Sequence, residues 1–231
     1  MALVKGGIAG EMSGKVGGMV FARNRSGMYV RSHATPVNPD TDRQQAARSK
    51  LSSLAQAFFG ILTPVQRTAW NQYGSQINFQ NRLGDDIFLS GINHYIRTNS
   101  AVLLAGGVRI DDAPVINNLG ETDPTATAVI DETGQLLTVS FDDTMPWLDE
   151  DNAFLIVGMS QPKDPSKSFI GGPFRYAGSI EGDSVTPPTT PDTIAVPYVV
   201  VESQKVQMYF RIARADGRLT GKFFRTVAVV A

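Results

Sequence analysis

The sequence predicts an α+β protein in three parts: an N-terminal extended arm with a β-hairpin (residues 1–39), a small three-helix region (40–110) and an all-β sandwich (111–231). Three observations carry this expectation. Glycines crowd the first eighteen residues. Apolar side chains then recur at helical spacing, and after Asp111 the pattern changes to a period of two, broken by turn signals.

Gly6, Gly7, Gly10, Gly14, Gly17 and Gly18 leave too little side chain for a core and are unsuited to a helix interior, so this stretch is expected to be an extended arm. From Met19 to Ser32, two short alternating runs flank Asn24-Arg25-Ser26-Gly27, which signals a hairpin with Val20 and Ala22 on one face and Phe21 and Arg23 on the other. A lone two-stranded hairpin is only marginally stable in water, so this one needs a surface to lie on. Thr35-Pro36-Val37-Asn38-Pro39 reads as an extended linker, because each proline disfavours helix in the residue before it.

Thr41-Asp42-Arg43-Gln44 has the form of a capping box, and Ala47, Leu51, Leu54, Ala55, Phe58 and Leu62 follow at helical spacing, predicting a helix near 41–60. Thr63-Pro64-Val65-Gln66 is a second capping box with proline at the first helical position, opening a stripe of Val65, Ala69, Tyr73 and Ile77 beside Trp70. Ser90 is positioned to cap a third helix whose face holds Ile92, Tyr95, Ile96, Asn99 and Leu103, with Gly106-Gly107 as its left-handed stop. Seven strands are expected at 125–130, 136–141, 153–160, 174–180, 194–201, 206–213 and 222–230, the pattern of a β-sandwich. Val206, Met208, Phe210 and Ile212 should face inward, Asp216-Gly217 should turn the last hairpin, and the proline-rich 186–191 run should be an exposed connection.

Composition removes several classes of function. With no cysteine, disulfides, thiolate metal sites and thiol nucleophiles are excluded. No apolar run approaches the roughly 20 residues that span a bilayer, and the first residues lack the apolar stretch of a signal peptide, so no membrane partner is expected and the chain should be made in a cytosol. The net charge of −1 hides an asymmetry: residues 1–109 carry 12 Lys/Arg against 5 Asp/Glu, whereas the remainder carries 9 against 17. Halves of opposite sign point to assembly with different partners, or of one copy with another.

Catalytic motifs are weak. Glu11-Met12-Ser13-Gly14-Lys15-Val16 superficially resembles a phosphate-binding loop, but Ala9 stands where its first glycine is needed and Val16 where Ser or Thr would meet magnesium. His33 and His94 are the only histidines. The first lies in the linker, and the second falls on a predicted helix where a packed or surface role is favoured over a ligand role. Asp142-Asp143 and Asp149-Glu150-Asp151 flank Trp147, but the alternating calcium-loop pattern is absent and a solvated loop is expected. No catalytic residue, cofactor or metal site is therefore assigned. The candidate partner-binding residues are Lys15, Phe21, Arg23, Arg25, Tyr29 and Arg31, in a segment (13–31) free of acids. Four positive charges and a whole-chain pI near 6.1 favour an acidic protein surface over nucleic acid, which stands as the weaker alternative.

The run Ser13-Gly14-Lys15-Val16-Gly17-Gly18-Met19-Val20-Phe21-Ala22-Arg23-Asn24-Arg25, with Tyr29-Val30-Arg31, Pro36-Val37-Asn38-Pro39 and Gln44-Gln45-Ala46-Ala47-Arg48, resembles a family of bacteriophage, prophage and bacterial proteins. Residues 62–71 and 90–95 are similar to its next two motifs. The resemblance implies a tailed-phage virion component, with an N-terminal arm and helices ahead of an immunoglobulin-like or fibronectin-like domain. It implies no catalytic residues. The expected role is a non-catalytic virion structural protein assembled in the host bacterial cytoplasm: a capsid cement or decoration protein, homo-oligomeric, whose arm binds neighbouring subunits of the major coat protein. A tail, baseplate or head–tail junction component is the alternative within the virion, and a nucleic-acid-binding packaging or host-control factor the alternative outside that class.

Overall fold

The computed structural model describes residues 2–4, 12–24, 27–81 and 83–231. Ahead of the helices, four short antiparallel strands pair in the order β1-β4-β3-β2: β1 (Ala2–Val4), β2 (Gly14–Val16), β3 (Met19–Asn24) and β4 (Gly27–Ser32). The expected hairpin is present, with Asn24 opposite Gly27. The expected free arm is corrected at its C-terminal end, where Gly14–Val16 forms a strand against β3 across a Gly17-Gly18 turn. Gly17 makes this possible by taking a left-handed φ of 56°, which brings β2 back onto the open edge of β3. Residues 5–11 of the expected arm lie outside the described residues. The linker from His33 to Thr41 is irregular and exposed, as its prolines require.

Three helices follow: α1 (Asp42–Gly60), α2 (Pro64–Gln76) and α3 (Gly91–Ala105). Thr63 and Gln66 form the full reciprocal box that opens α2, whereas at α1 only the Gln44 N–H to Thr41 bond of the expected box forms, at 3.4 Å. Ser90 occupies the N-cap of α3 in extended conformation but makes no side-chain cap bond, a correction to its expected role; its carbonyl accepts the His94 N–H instead. Gly106 stops α3 with φ 97°. Leu54, Phe58, Leu62, Trp70, Tyr73, Ile77 and Tyr95 form the helical core. Between α2 and α3 lies a small hairpin that the sequence reading did not foresee, β5 (Asn78–Gln80) with β6 (Asp86–Phe88). No helix among the described residues is long and apolar enough to cross a membrane.

The segment after α3 returns across the helices before the β-layer begins. Trp70 Nε1 donates to the Asp111 carbonyl at 2.9 Å, the Tyr73 hydroxyl to the Asn118 carbonyl at 2.8 Å, and Asn99 exchanges two bonds with the Ile110 backbone. Buried polar ends of aromatic side chains are thereby satisfied by a loop that they in turn hold in place.

The remaining strands are β7 (Thr127–Asp131), β8 (Leu136–Ser140), β9 (Phe154–Ser160), β10 (Phe174–Glu181), β11 (Asp192–Ala195), β12 (Lys205–Ala213) and β13 (Phe223–Val230). They form one mixed sheet, ordered β10-β9-β12-β13-β7-β8-β11, in which β13 and β7 are parallel and the other pairs antiparallel. The sheet curls nearly into a barrel. Its two ends approach so closely that a Cβ on Gly178 of β10 would stand 2.5 Å from Ile194 of β11. Inside are Leu137, Val139, Trp147, Leu155, Val157, Met159 and the four inward residues expected of β12: Val206, Met208, Phe210 and Ile212. The fifth strand is the one substantial correction. It spans Asp192–Ala195 rather than 194–201, because Pro197 has no N–H to offer a ladder; the Gln135 amide instead holds the Val200 backbone in both directions.

Strand β9 is buried at every position. Leu155, Val157 and Met159 face the sheet interior, while Phe154 and Ile156 pack on the opposite side with Val102 of α3, Ala213 and Leu219. An antiparallel strand carries an uninterrupted apolar run only when both of its faces are covered, and α3 supplies the second cover.

Helices α2 and α3 cross at glycine. A Cβ on Gly91 would lie 2.5 Å from the Asn71 backbone nitrogen, and one on Gly74 would lie 2.7 Å from the Leu89 carbonyl oxygen. Neither neighbour is a flexible side chain that could move aside. Gly91→Ala should therefore destabilise the protein by about 2 kcal/mol or more. Gly60→Ala, which would meet nothing within 4 Å, should be neutral or stabilising by up to about 1 kcal/mol. Urea unfolding of the two variants checks both outcomes.

Candidate functional site

The register of the N-terminal sheet sorts the sequence-identified residues onto two faces. Lys15 lies opposite Val20, and Val20 opposite Arg31, so the two cations end one row across β2, β3 and β4. Tyr29, opposite Ala22, is on this same face because it lies two positions from Arg31 along β4. The other face carries Phe21 opposite Val30, Arg23 opposite Met28, and the row of Val16 and Met19. Lys15, Tyr29 and Arg31 are thus brought together, while Phe21 and Arg23 point the other way. Arg25 lies outside the described residues.

This sheet has no core of its own. Among the described residues from Met12 onward, no side chain before Leu54 is buried. Val16 and Met19 remain more than half exposed, and Phe21, Met28, Tyr29 and Val30 are only half-buried.

The acidic loops flanking Trp147 are largely occupied with local bonds. Asp142 accepts from the Thr144 hydroxyl and backbone at 2.6 and 2.9 Å, which holds its carboxyl below the ordinary range. Burial pushes the Glu150 carboxyl up, but its bidentate pair with Arg214 outweighs that and holds it low. Asp151 accepts from Ser184. Among the described residues, no group of three or more His, Asp or Glu side chains is placed to hold a metal ion.

A second feature lies between the first turns of α1 and the outer face of the large sheet, with α3 along its side. It is an open crevice of about 460 Å³. Arg43 and Lys50 of α1, Arg97 of α3, Arg211 of β12 and Lys222 contribute to its lining, together with small and apolar side chains such as Ala47, Ala101 and Ile156. Arg97 donates to the Leu219 and Thr220 carbonyls at 2.8 and 3.1 Å, and Arg211 to the same Thr220 carbonyl at 2.9 Å. Burial, reinforced by the charge of Arg97, pushes Arg211 down to about 9, and burial also lowers Arg97 and Lys222. None of the ion pairs formed among the described residues includes any of these five cations.

The chain matches no protein-family model, and no curated protein or solved structure matches it. Its own residues must carry the functional argument.

Sequence reasoning missed the crevice. Arg97 falls on a helix, Arg211 on the exposed-facing register of a strand, and Lys222 at a strand start, each an ordinary place for a solvated cation. The signal available was the absence of any acid at positions 205–213, where Lys205 and Arg211 stand unaccompanied along a strand whose alternate residues are buried.

His94 takes the packed role. It is 0 % exposed, stands edge-on to Tyr73 with ring centres 5.1 Å apart, and neither ring nitrogen has a hydrogen-bond partner. Burial, with a contribution from Arg97, lowers it from 6.5 to about 4. Because the folded value lies below the unfolded one, the unfolded chain binds more protons between them. Stability should be full above about pH 6.5 and fall by about 3 kcal/mol on acidification to about pH 4. His94→Leu should flatten that part of the stability–pH profile, measured by urea unfolding, while costing about 1 kcal/mol or less at neutral pH, since it removes two unsatisfied buried polar atoms.

Proposed function

We propose that the protein is a non-catalytic structural component of a bacteriophage virion, a capsid cement or decoration protein attached through its N-terminal sheet to neighbouring coat subunits. The observation that carries this reading is the four-stranded sheet in which no described residue of β2, β3 or β4 has a buried side chain, followed by an exposed proline-bearing linker. Paired strands with one largely apolar face and one face bearing Lys15, Tyr29 and Arg31 lack the burial that makes a small sheet stable. A partner surface supplies that burial, and the basic face selects an acidic one. The sequence resemblance to phage and prophage proteins supports the choice of partner.

The large sheet fits the same reading as an immunoglobulin- or fibronectin-like module. Strands β7, β8 and β11 stand across a shared core from β13, β12, β9 and β10, and the parallel β7–β13 contact joins the two groups. In that arrangement the module is carried on the particle surface by the attached N-terminal strands.

Removing residues 1–31 tests the attachment. The truncated chain should keep the circular dichroism of the folded helices and large sheet, since among the described residues from Met12 onward every buried side chain lies at Leu54 or beyond. It should lose binding to coat shells prepared without the protein by at least about tenfold in a co-sedimentation assay. Undiminished binding would refute attachment through this sheet. Binding confined to one vertex or to tails would move the protein to the head–tail junction or tail, and binding to naked DNA that is abolished by Lys15→Ala with Arg31→Ala would replace the protein partner with nucleic acid.

A further inference from the structure

The crevice beneath α1 has a charge pattern that the attachment reading does not use. Five cations line it, among them Arg97 and Arg211, which hold the same Thr220 carbonyl, and no carboxylate neutralises any of the five among the described residues. Arg97 spends two of its N–H groups on backbone carbonyls and Arg211 spends one, so both are fixed in place with donors to spare. The Lys222 ammonium is held at the crevice by the face of the Tyr209 ring, 4.1 Å from its centre. Arg97 and Arg211 are half-buried, and like charges held together out of bulk water without a counterion are costly; they persist where other bonds hold them and a ligand offsets the repulsion. The volume of about 460 Å³ falls within the range of small-molecule sites.

We propose that this crevice is a binding site for a phosphate-bearing ligand, with Arg97, Arg211 and Lys222 meeting the phosphate oxygens and Arg43 and Lys50 closing over it from α1. A single carboxylate would leave most of the positive charge unmatched, whereas a phosphate ester brings up to two negative charges and several acceptor oxygens that suit the planar donors of arginine. Ala46 and Ala47, between Arg43 and Lys50 on α1, are too small to fill the crevice and leave its entrance open. The phosphate source is a small phosphorylated molecule or the backbone of a nucleic-acid strand, and both present the same group to the same cations. The attachment of residues 1–31 to a particle is a separate matter and would survive the loss of this site.

Isothermal titration of the full-length protein with sodium pyrophosphate, and separately with a short single-stranded oligodeoxythymidine, tests the proposal. Saturable one-to-one binding of pyrophosphate is expected. It should be weakened about tenfold or more by Lys50→Gln with Lys222→Gln, a pair chosen because neither side chain forms a hydrogen bond or ion pair that folding needs, with an unchanged unfolding midpoint as control. If the oligonucleotide binds more tightly, with a steeper salt dependence and the same sensitivity to the double variant, a nucleic-acid strand is the source; if pyrophosphate binds as well, a small molecule is. Absence of saturable binding to both, or binding unaffected by the double variant, overturns the proposal. So does preferential binding of an Asp/Glu-rich peptide, which would make the crevice a contact for acidic protein.

Discussion

The contact of α3 with β9 and β12 positions everything from the helical core to the closing strand. Val102 enters a pocket made by Phe154, Ile156, Ala213 and Leu219, the Thr98 hydroxyl donates to the Gly217 carbonyl at 2.9 Å, and Arg97 grips the Leu219 and Thr220 carbonyls. Burial of several large apolar groups, each contributing about 1.5–3 kcal/mol, fixes the helix against the sheet, and the hydrogen bonds fix its rotation. About two turns before Val102 along α3, Tyr95 enters the aromatic cluster with Phe58 and Trp70. One helix therefore belongs to both cores. The same contact also opens the cationic crevice, because Arg97 and Arg211 meet only through this docking.

The N-terminal strands stand outside that arrangement. They satisfy backbone hydrogen bonds with one another, but burial of apolar surface, the larger part of folding free energy, is at most partial in β2, β3 and β4. A segment so built is ordered by its neighbours. Its high glycine content lets the chain turn back tightly, and its register puts Lys15, Tyr29 and Arg31 on one face and Val16, Met19, Phe21, Met28 and Val30, with Arg23, on the other.

Much of this was legible in the sequence where a local rule coincided with a tertiary need. Val206, Met208, Phe210 and Ile212 alternate because one face of β12 lines the sheet interior, and Thr63-Pro64 with Gln66 signals a helix start by bonds made within four residues. Ser90 showed the limit of such rules. It sits where a cap belongs, yet the Gly91 backbone is pressed so closely on α2 that the helix start is set by packing instead. The β5–β6 hairpin escaped notice because three-residue strands carry no measurable period. The β2 strand escaped because its glycines read as freedom, where in the structure they make a turn. Of the six partner-binding candidates, the alternation correctly separated Phe21 and Arg23 from the opposite face. The crevice was invisible because its cations converge from separate helices and strands.

The central claim is that the N-terminal sheet has no core of its own and is completed by a partner. Amide hydrogen exchange on the isolated full-length chain addresses it directly, since exchange reports the free energy of local opening. The account predicts that the amides of Met19–Asn24 and Gly27–Ser32 exchange at least about 100-fold faster than those of Phe154–Ser160 and Lys205–Ala213. Protection of the N-terminal strands equal to that of β9 and β12 would contradict it.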